Sequence, residues 1–341
     1  MSDDIDKHVS RRYEVQQKLG KGAYGIVWRA VDKKTKEQIA LKKVFDAFQN
    51  STDAQRTYRE VVYLLQMEHE NIVKLHSVLK ADNDKDIYLV FEYMETDLHA
   101  TIRANILEEI HKQYIMYQAF KALAYMHSAS LIHRDMKPAN LLLNSECLMK
   151  VADFGLARSL TASGAPETDD ESDTMTDYVA TRWYRAPEIL VGSSQYSFKA
   201  DLWSLGCIFG EMLNGKPVFG GTSTLNQLEV ICELLGKPTE AEVEALESKF
   251  GPTMYSNVCV SDETSAEISA TTLQQRFEKK FPTVRCCQLG HCHPGHFQPS
   301  YCQPGHCRQL PPTSVGLTLP WTSADGPDLA HTAEPTGHEG S

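Results

Sequence analysis

Short runs rich in apolar residues, several alternating with polar ones, recur at 13–19, 26–31, 38–44, 72–79 and 87–91. A period of two sends successive side chains to opposite faces of an extended chain, so these runs are predicted strands. The period then lengthens. Residues 53–65 read as a helix, and so do 108–128, where Met116, Phe120, Leu123 and Ala124 fall at core spacing. Residues 141–143 and 148–152 flank a short turn and read as a hairpin. Further on, 201–213 is an apolar helix expected at the centre of the later part of the chain. A last one, 226–235, ends at Gly236-Lys237-Pro238. Strands come first and helices afterwards, which is an α+β pattern.

A chain of 341 residues has ample material for a core, and its net charge of −11 argues against nucleic acid or an anionic membrane surface as the main partner. The start, Met1-Ser2-Asp3-Asp4-Ile5-Asp6, is acidic with no apolar stretch behind it, unlike a secretory signal. The apolar run at 202–210 is about as long as any and too short to span a bilayer. A soluble chain of the cytoplasm or nucleus is therefore expected. Cys147, Cys207, Cys232 and Cys259 are scattered singly, as reduced buried thiols usually are.

Chemistry concentrates in His133-Arg134-Asp135-Met136-Lys137-Pro138-Ala139-Asn140, which matches H-R-D-x-K-P-x-N at six fixed positions. At roughly one in twenty per position, six matches arise by chance on the order of once in fifty million windows. Other signatures stand in order around it. Gly20-Lys21-Gly22-Ala23-Tyr24-Gly25 lies between two predicted strands, and Ile39-Ala40-Leu41-Lys42 lies in the next one. Glu60 sits on the first helix, Asp153-Phe154-Gly155 follows the hairpin, and Ala186-Pro187-Glu188 closes a long segment. From about Tyr13 to Phe281 the chain resembles the protein kinase superfamily.

That resemblance implies a bilobal fold, with a β-rich lobe over 13–93 after an extension at 1–12, and a larger helical lobe over 94–281. It implies ATP with Mg2+ and protein substrates. Asp135 would orient or accept the proton of the attacking hydroxyl, Lys137 would neutralise charge on the γ-phosphate, and Asn140 and Asp153 would hold Mg2+ through oxygen. Lys42, paired with Glu60, would hold the α- and β-phosphates beneath Gly20, Gly22 and Gly25, whose missing side chains admit backbone amides to the phosphates. Lys43, on the opposite face, is expected in solvent. Val27, Ala40, Met94 and Leu142 would line the nucleotide site. Phe91 would narrow its rear, and 92–94 would be the adenine-holding hinge. Phe154 would pack beneath the helix of Glu60, and Asp201 would hold the backbone of the loop around Asp135.

Lys137 and Thr181 look like the serine/threonine type. Thr176-Asp177-Tyr178, followed by Val179-Ala180-Thr181-Arg182-Trp183-Tyr184-Arg185, looks like the mitogen-activated protein (MAP) kinases, which act on Ser/Thr followed by Pro. Stretches 43–60 and 87–98 look most like their atypical extracellular-signal-regulated subgroup seven/eight. This implies activation by phosphorylation of Thr176 and Tyr178, by self-phosphorylation or by an upstream kinase. Arg56, Arg59, Arg134 and Arg158 would gather around the first phosphate, and Arg182 and Arg185 around the second. Docking partners are implied as well.

The pattern breaks after Phe281. Residues 281–341 hold nine of the chain's fifteen prolines and no lysine, isoleucine, asparagine or methionine. The resemblance calls there for two more helices and an arginine pairing with Glu188, and neither is found. A tail of different coding origin, rich in Pro, Cys and His and without a packed core, is expected over 282–341. Cys292-x3-His296 and Cys302-x3-His306 offer four zinc ligands as an alternative reading. The incomplete larger lobe leaves a second functional reading open: a truncated kinase fold with little turnover that binds nucleotide or partners.

Overall fold

The computed structural model describes residues 4–22, 25–48, 50–160, 182–193, 197–260 and 270–281. All of these fall within the first of two compact units, Met1–Arg285, and the expectations for the Pro-rich tail over 282–341 lie outside them.

A short helix, α1 (Lys7–Arg12), leads into β1 (Tyr13–Lys21), β2 (Gly25–Asp32) and β3 (Gln38–Val44). Helix α2 (Ser51–Gln66) follows, then β4 (Leu75–Lys80) and β5 (Ile87–Glu92). The strands form one antiparallel sheet in the order β1-β2-β3-β5-β4. Register puts Val27 and Leu89 opposite Lys42, and Arg29 and Phe91 opposite Ala40. Partners across a ladder share a face, so Val27, Ala40, Lys42 and Phe91 stand together on the side that meets α2. That helix begins where the Asn50 side chain accepts from the Asp53 N–H, satisfying an amide that would otherwise be orphaned.

The outer face is covered too. Val9 of α1 and Tyr13 bury themselves against Ile39, Leu41, Tyr88 and Val90. This corrects the expectation for Lys43, which is 3% exposed rather than solvated. Its ammonium donates to the Asp4 carbonyl at 2.9 Å, sits 3.5 Å from Asp86 and lies over the rings of Tyr88 and Phe45. Burial disfavours the charge, but Tyr88 and Asp86 outweigh it and hold the pKa above the ordinary lysine value. Strand alternation chose the face correctly; the N-terminal segment then covered it. Lys43→Ala removes the cation beside Asp86 but leaves the carboxylate its bonds from the Asp46 N–H and Asn83, and should cost about 2 kcal/mol in a urea titration.

Beyond β5 the chain is mainly helical. β6 (Thr96–Asp97), α3 (Leu98–Ala104) and α4 (Glu109–Ser128) come first. Four short strands follow: β7 (Leu131–Ile132), β8 (Leu141–Leu143), β9 (Met149–Val151) and β10 (Arg158–Ser159). After them come α5 (Pro187–Leu190), α6 (Lys199–Asn214), α7 (Thr224–Leu235), α8 (Glu240–Glu244), α9 (Gly251–Ser256) and α10 (Ala270–Lys280). This is the expected α+β architecture. Among the described residues no helix is long and apolar enough to cross a membrane.

Helix α4 buries Ile115, Gln118, Ala119, Ala122, Leu123 and Met126, while Phe120 and Ala124, expected in the core, are exposed. Gln118 decides the rotation. Its amide accepts from Asn71 and from the Met149 N–H and donates to the Cys147 carbonyl, so the polar residue points inward and Phe120 outward. Helix α6 buries Ala200, Leu205, Cys207, Ile208 and Met212, and burial pushes the Cys207 thiol up to about 12. Its remaining face exposes Leu202 and Phe209.

Candidate active site

Two pairings bring the chemical segments together. β7 pairs with β10 and β8 with β9, so the loop 133–140 and the turn 153–157 leave adjacent strands. The Ala152 N–H donates to the Asn140 carbonyl at 2.9 Å and closes the gap.

Asp201, 1% exposed at the start of α6, shapes the first segment. Its two oxygens accept from the His133 and Arg134 N–H groups at 2.9 Å each and from His127 Nε2 at 2.9 Å. Those bonds hold Arg134 at φ +68°, a left-handed conformation rare for a residue with a side chain. His133 Nδ1 accepts from the Asp135 N–H, which leaves Nε2 to donate to the Ala152 carbonyl and sets the tautomer. His127 is a supporting residue that sequence reasoning missed, because its contact spans 74 positions.

Asp135 is 3% exposed. Its Oδ2 accepts from Lys137 Nζ at 2.6 Å and from Asn140 Nδ2 at 3.1 Å, and its Oδ1 is buried without a partner among the described residues. Asn140 Nδ2 also donates to the Asp135 carbonyl at 2.8 Å. Both contacts demand a donor, so the amide oxygen of Asn140 faces away from them.

The second segment turns at Asp153, with φ +65°. Burial works to raise its pKa, but Lys42, Arg56, Lys137 and His133 together hold it below the usual carboxylate value. From the sheet, Lys42 donates to both oxygens of Glu60 at 2.8 and 3.0 Å. Burial lowers the Lys42 pKa, and Glu60 with Asp153 more than restores it. Lys42, Asp153 and Lys137 therefore sit within electrostatic reach of one another. Phe154 is fully buried with its ring edge-on to His133 at 4.9 Å, in one cluster with Leu64 of α2.

The remaining expected residues divide. Val27 and Ala40 share the Lys42 face, Met94 is buried, and Leu142 and Ala40 each pack against the main cluster. Gly20 and Gly22 face open space, whereas Gly25 lies so close to the Lys43 carbonyl that a Cβ would collide with it. Close approach of β2 to β3 thus demands glycine at 25. Arg56 and Arg59 both meet the turn at 153–155. Arg158 is buried and donates to the Ala157 carbonyl, and Arg182 reaches the Thr222 carbonyl. Thr176 and Tyr178, with the acidic stretch before them, lie outside the described residues.

Glu188, at the start of α5, is partly buried, and burial raises its pKa; Lys199 acts on it only through space. Among the described residues it forms no ion pair. A raised folded pKa means the ionised form costs stability above the unfolded value, and the cost vanishes as pH falls below that value. Glu188→Gln should therefore raise Tm by about 2 °C at pH 7 and by nothing at pH 4, measured by thermal unfolding at both.

Residues 13–282 match the protein kinase domain family. Extracellular signal-regulated kinase 2 of Dictyostelium discoideum is 63% identical over 265 residues, which is 77% of this chain and 71% of the relative. Mitogen-activated protein kinase 15 of Xenopus laevis is 53% identical, over 75% of this chain and 43% of the relative. Extracellular signal-regulated kinase 7 of Drosophila melanogaster is 51% identical, over 74% of this chain and 28% of the relative. The chain thus spans less than half of the last two.

Proposed function

Because the chain belongs to the protein kinase family and to its MAP kinase branch, Ser/Thr kinases that use ATP and Mg2+, most like the extracellular signal-regulated kinase seven/eight subgroup, we propose that it transfers the γ-phosphoryl of ATP to serine or threonine followed by proline. The observation that carries this reading is the buried, partnerless Oδ1 of Asp135 beside Lys137, within one cluster of charge that includes Asp153 and Lys42. An acceptor left unmatched in an interior is costly unless something arrives to use it.

The attacking hydroxyl donates to that oxygen, and Asp135 takes its proton or orients it. Lys137, already bonded to Oδ2, balances charge on the transferred group. Lys42, held by Glu60, grips the α- and β-phosphates beneath Gly20, Gly22 and Gly25. The ionised Asp153 and the outward amide oxygen of Asn140 are hard oxygen donors suited to Mg2+. When bound, Mg2+ neutralises phosphate charge. Val27, Ala40, Leu142 and Met94 enclose the base, with Phe91 behind it, and the lobes divide near 93. Phosphates on Thr176 and Tyr178, placed by the chain itself or an upstream kinase, draw in Arg56, Arg59, Arg134, Arg158, Arg182 and Arg185. Docking partners and a cytoplasmic or nuclear site of action belong to the same reading.

A second reading, a kinase fold that binds nucleotide or partners with little turnover, draws on Glu188 without an ion pair among the described residues and on the exposed Leu202 and Phe209 of α6. Purified chain, Mg2+ and ATP with paired Ser-Pro and Ser-Ala peptides separate the two. Faster transfer to Ser-Pro supports the first reading. Nucleotide binding without transfer replaces it with the second, and equal rates remove the proline preference.

A further inference from the structure

Helix α2 presents Arg56, Arg59 and Glu60 on one face, since residues three and four apart are neighbours on a helix. Glu60 goes to Lys42. The two arginines go instead to the turn that carries the proposed cation ligand. Arg56 Nη2 lies 3.6 Å from Asp153 Oδ2, and Arg59 Nη1 donates to the Gly155 carbonyl at 2.8 Å. The Arg56 stem crosses the turn at residue 155, where a Cβ would come within 2.7 Å of its Cγ and Nε. Glycine at 155 therefore gives the guanidinium its passage to Asp153.

We propose that Arg56 gates the cation site: its guanidinium stands 3.6 Å from the carboxylate that Mg2+ must take, and so sets the Mg2+ concentration at which nucleotide binds. This rests on the proposed function. A guanidinium at ion-pair distance from a carboxylate competes with a divalent cation twice, by neutralising the carboxylate and by repelling the incoming charge. Arg59 is the internal contrast. It tethers the same helix to the same turn through a backbone carbonyl and leaves the Asp153 carboxylate alone. A phosphate on Thr176 that drew Arg56 away would thereby ease cation entry.

The test is binding of a fluorescent ADP to the full chain after phosphatase treatment, with Mg2+ titrated. Arg56→Gln should lower the Mg2+ needed for half-maximal binding by about ten-fold. Arg56→Met, which keeps the stem over Gly155, should shift it the same way. Arg59→Gln should leave it within about two-fold. Equal Mg2+ requirements in wild type and both Arg56 variants would overturn the gate, and so would equal shifts from Arg56→Gln and Arg59→Gln, which mark a tether alone. A wild-type chain that bound no nucleotide at any Mg2+ concentration would remove the proposed function, and the gate with it.

Discussion

Asp135→Asn should lower the turnover of a Ser-Pro peptide by about a thousand-fold, while the KM for ATP stays within about two-fold. The geometry explains why loss is confined to chemistry. Oδ2 of Asp135 accepts from Lys137 and Asn140, and an asparagine oxygen placed there keeps both bonds. The amide nitrogen then occupies the position of the partnerless Oδ1, where it donates and cannot accept. Steady-state kinetics on a peptide, with thermal unfolding to confirm the fold, checks both halves. Unchanged turnover would mean that another group handles the hydroxyl.

Asp201→Ala should reduce stability by about 4 kcal/mol and abolish transfer together. Its carboxylate satisfies two buried N–H groups and a histidine, and each orphaned donor costs about 1–3 kcal/mol. Releasing Arg134 from its left-handed backbone returns about 1 kcal/mol of strain, but the loop then loses the turn that aims Asp135. Asp201→Asn recovers part at most, because Oδ1 serves the Arg134 N–H and Oδ2 the His133 N–H, and an amide has one oxygen to offer. Denaturant unfolding and a peptide assay on the same preparation should show both losses. A fall in activity at wild-type stability would contradict the structural part.

The residues of the candidate site were legible because their spacing is dictated by chemistry. Asp135, Lys137 and Asn140 stand in one loop, and the hairpin after it is short enough to bring Asp153 back. Period two likewise placed Lys42 and Lys43 on opposite faces. Periodicity was silent on what covers a face, and so Lys43 was misjudged: α1 and Asp4 lie more than thirty positions away. It was silent, too, on which of two neighbouring stripes of α4 turns inward. Phe120 looked like core until the bonds of Gln118 to Asn71 and β9 decided otherwise. The arginines show a third limit. The resemblance offered Arg56 and Arg59 as partners for a phosphate on Thr176, but their contacts with Asp153 and Gly155 depend on where α2 docks.

The most direct measurement is the initial rate of γ-phosphoryl transfer from labelled Mg-ATP to a Ser-Pro peptide, by wild-type chain and by Asp153→Asn. Convergence of Lys42, Asp135 and Asp153 on one triphosphate predicts label on the peptide with wild type and a loss of about a hundred-fold or more in the variant. Equal rates from the two proteins, or tightly bound ATP whose label never leaves, would contradict it.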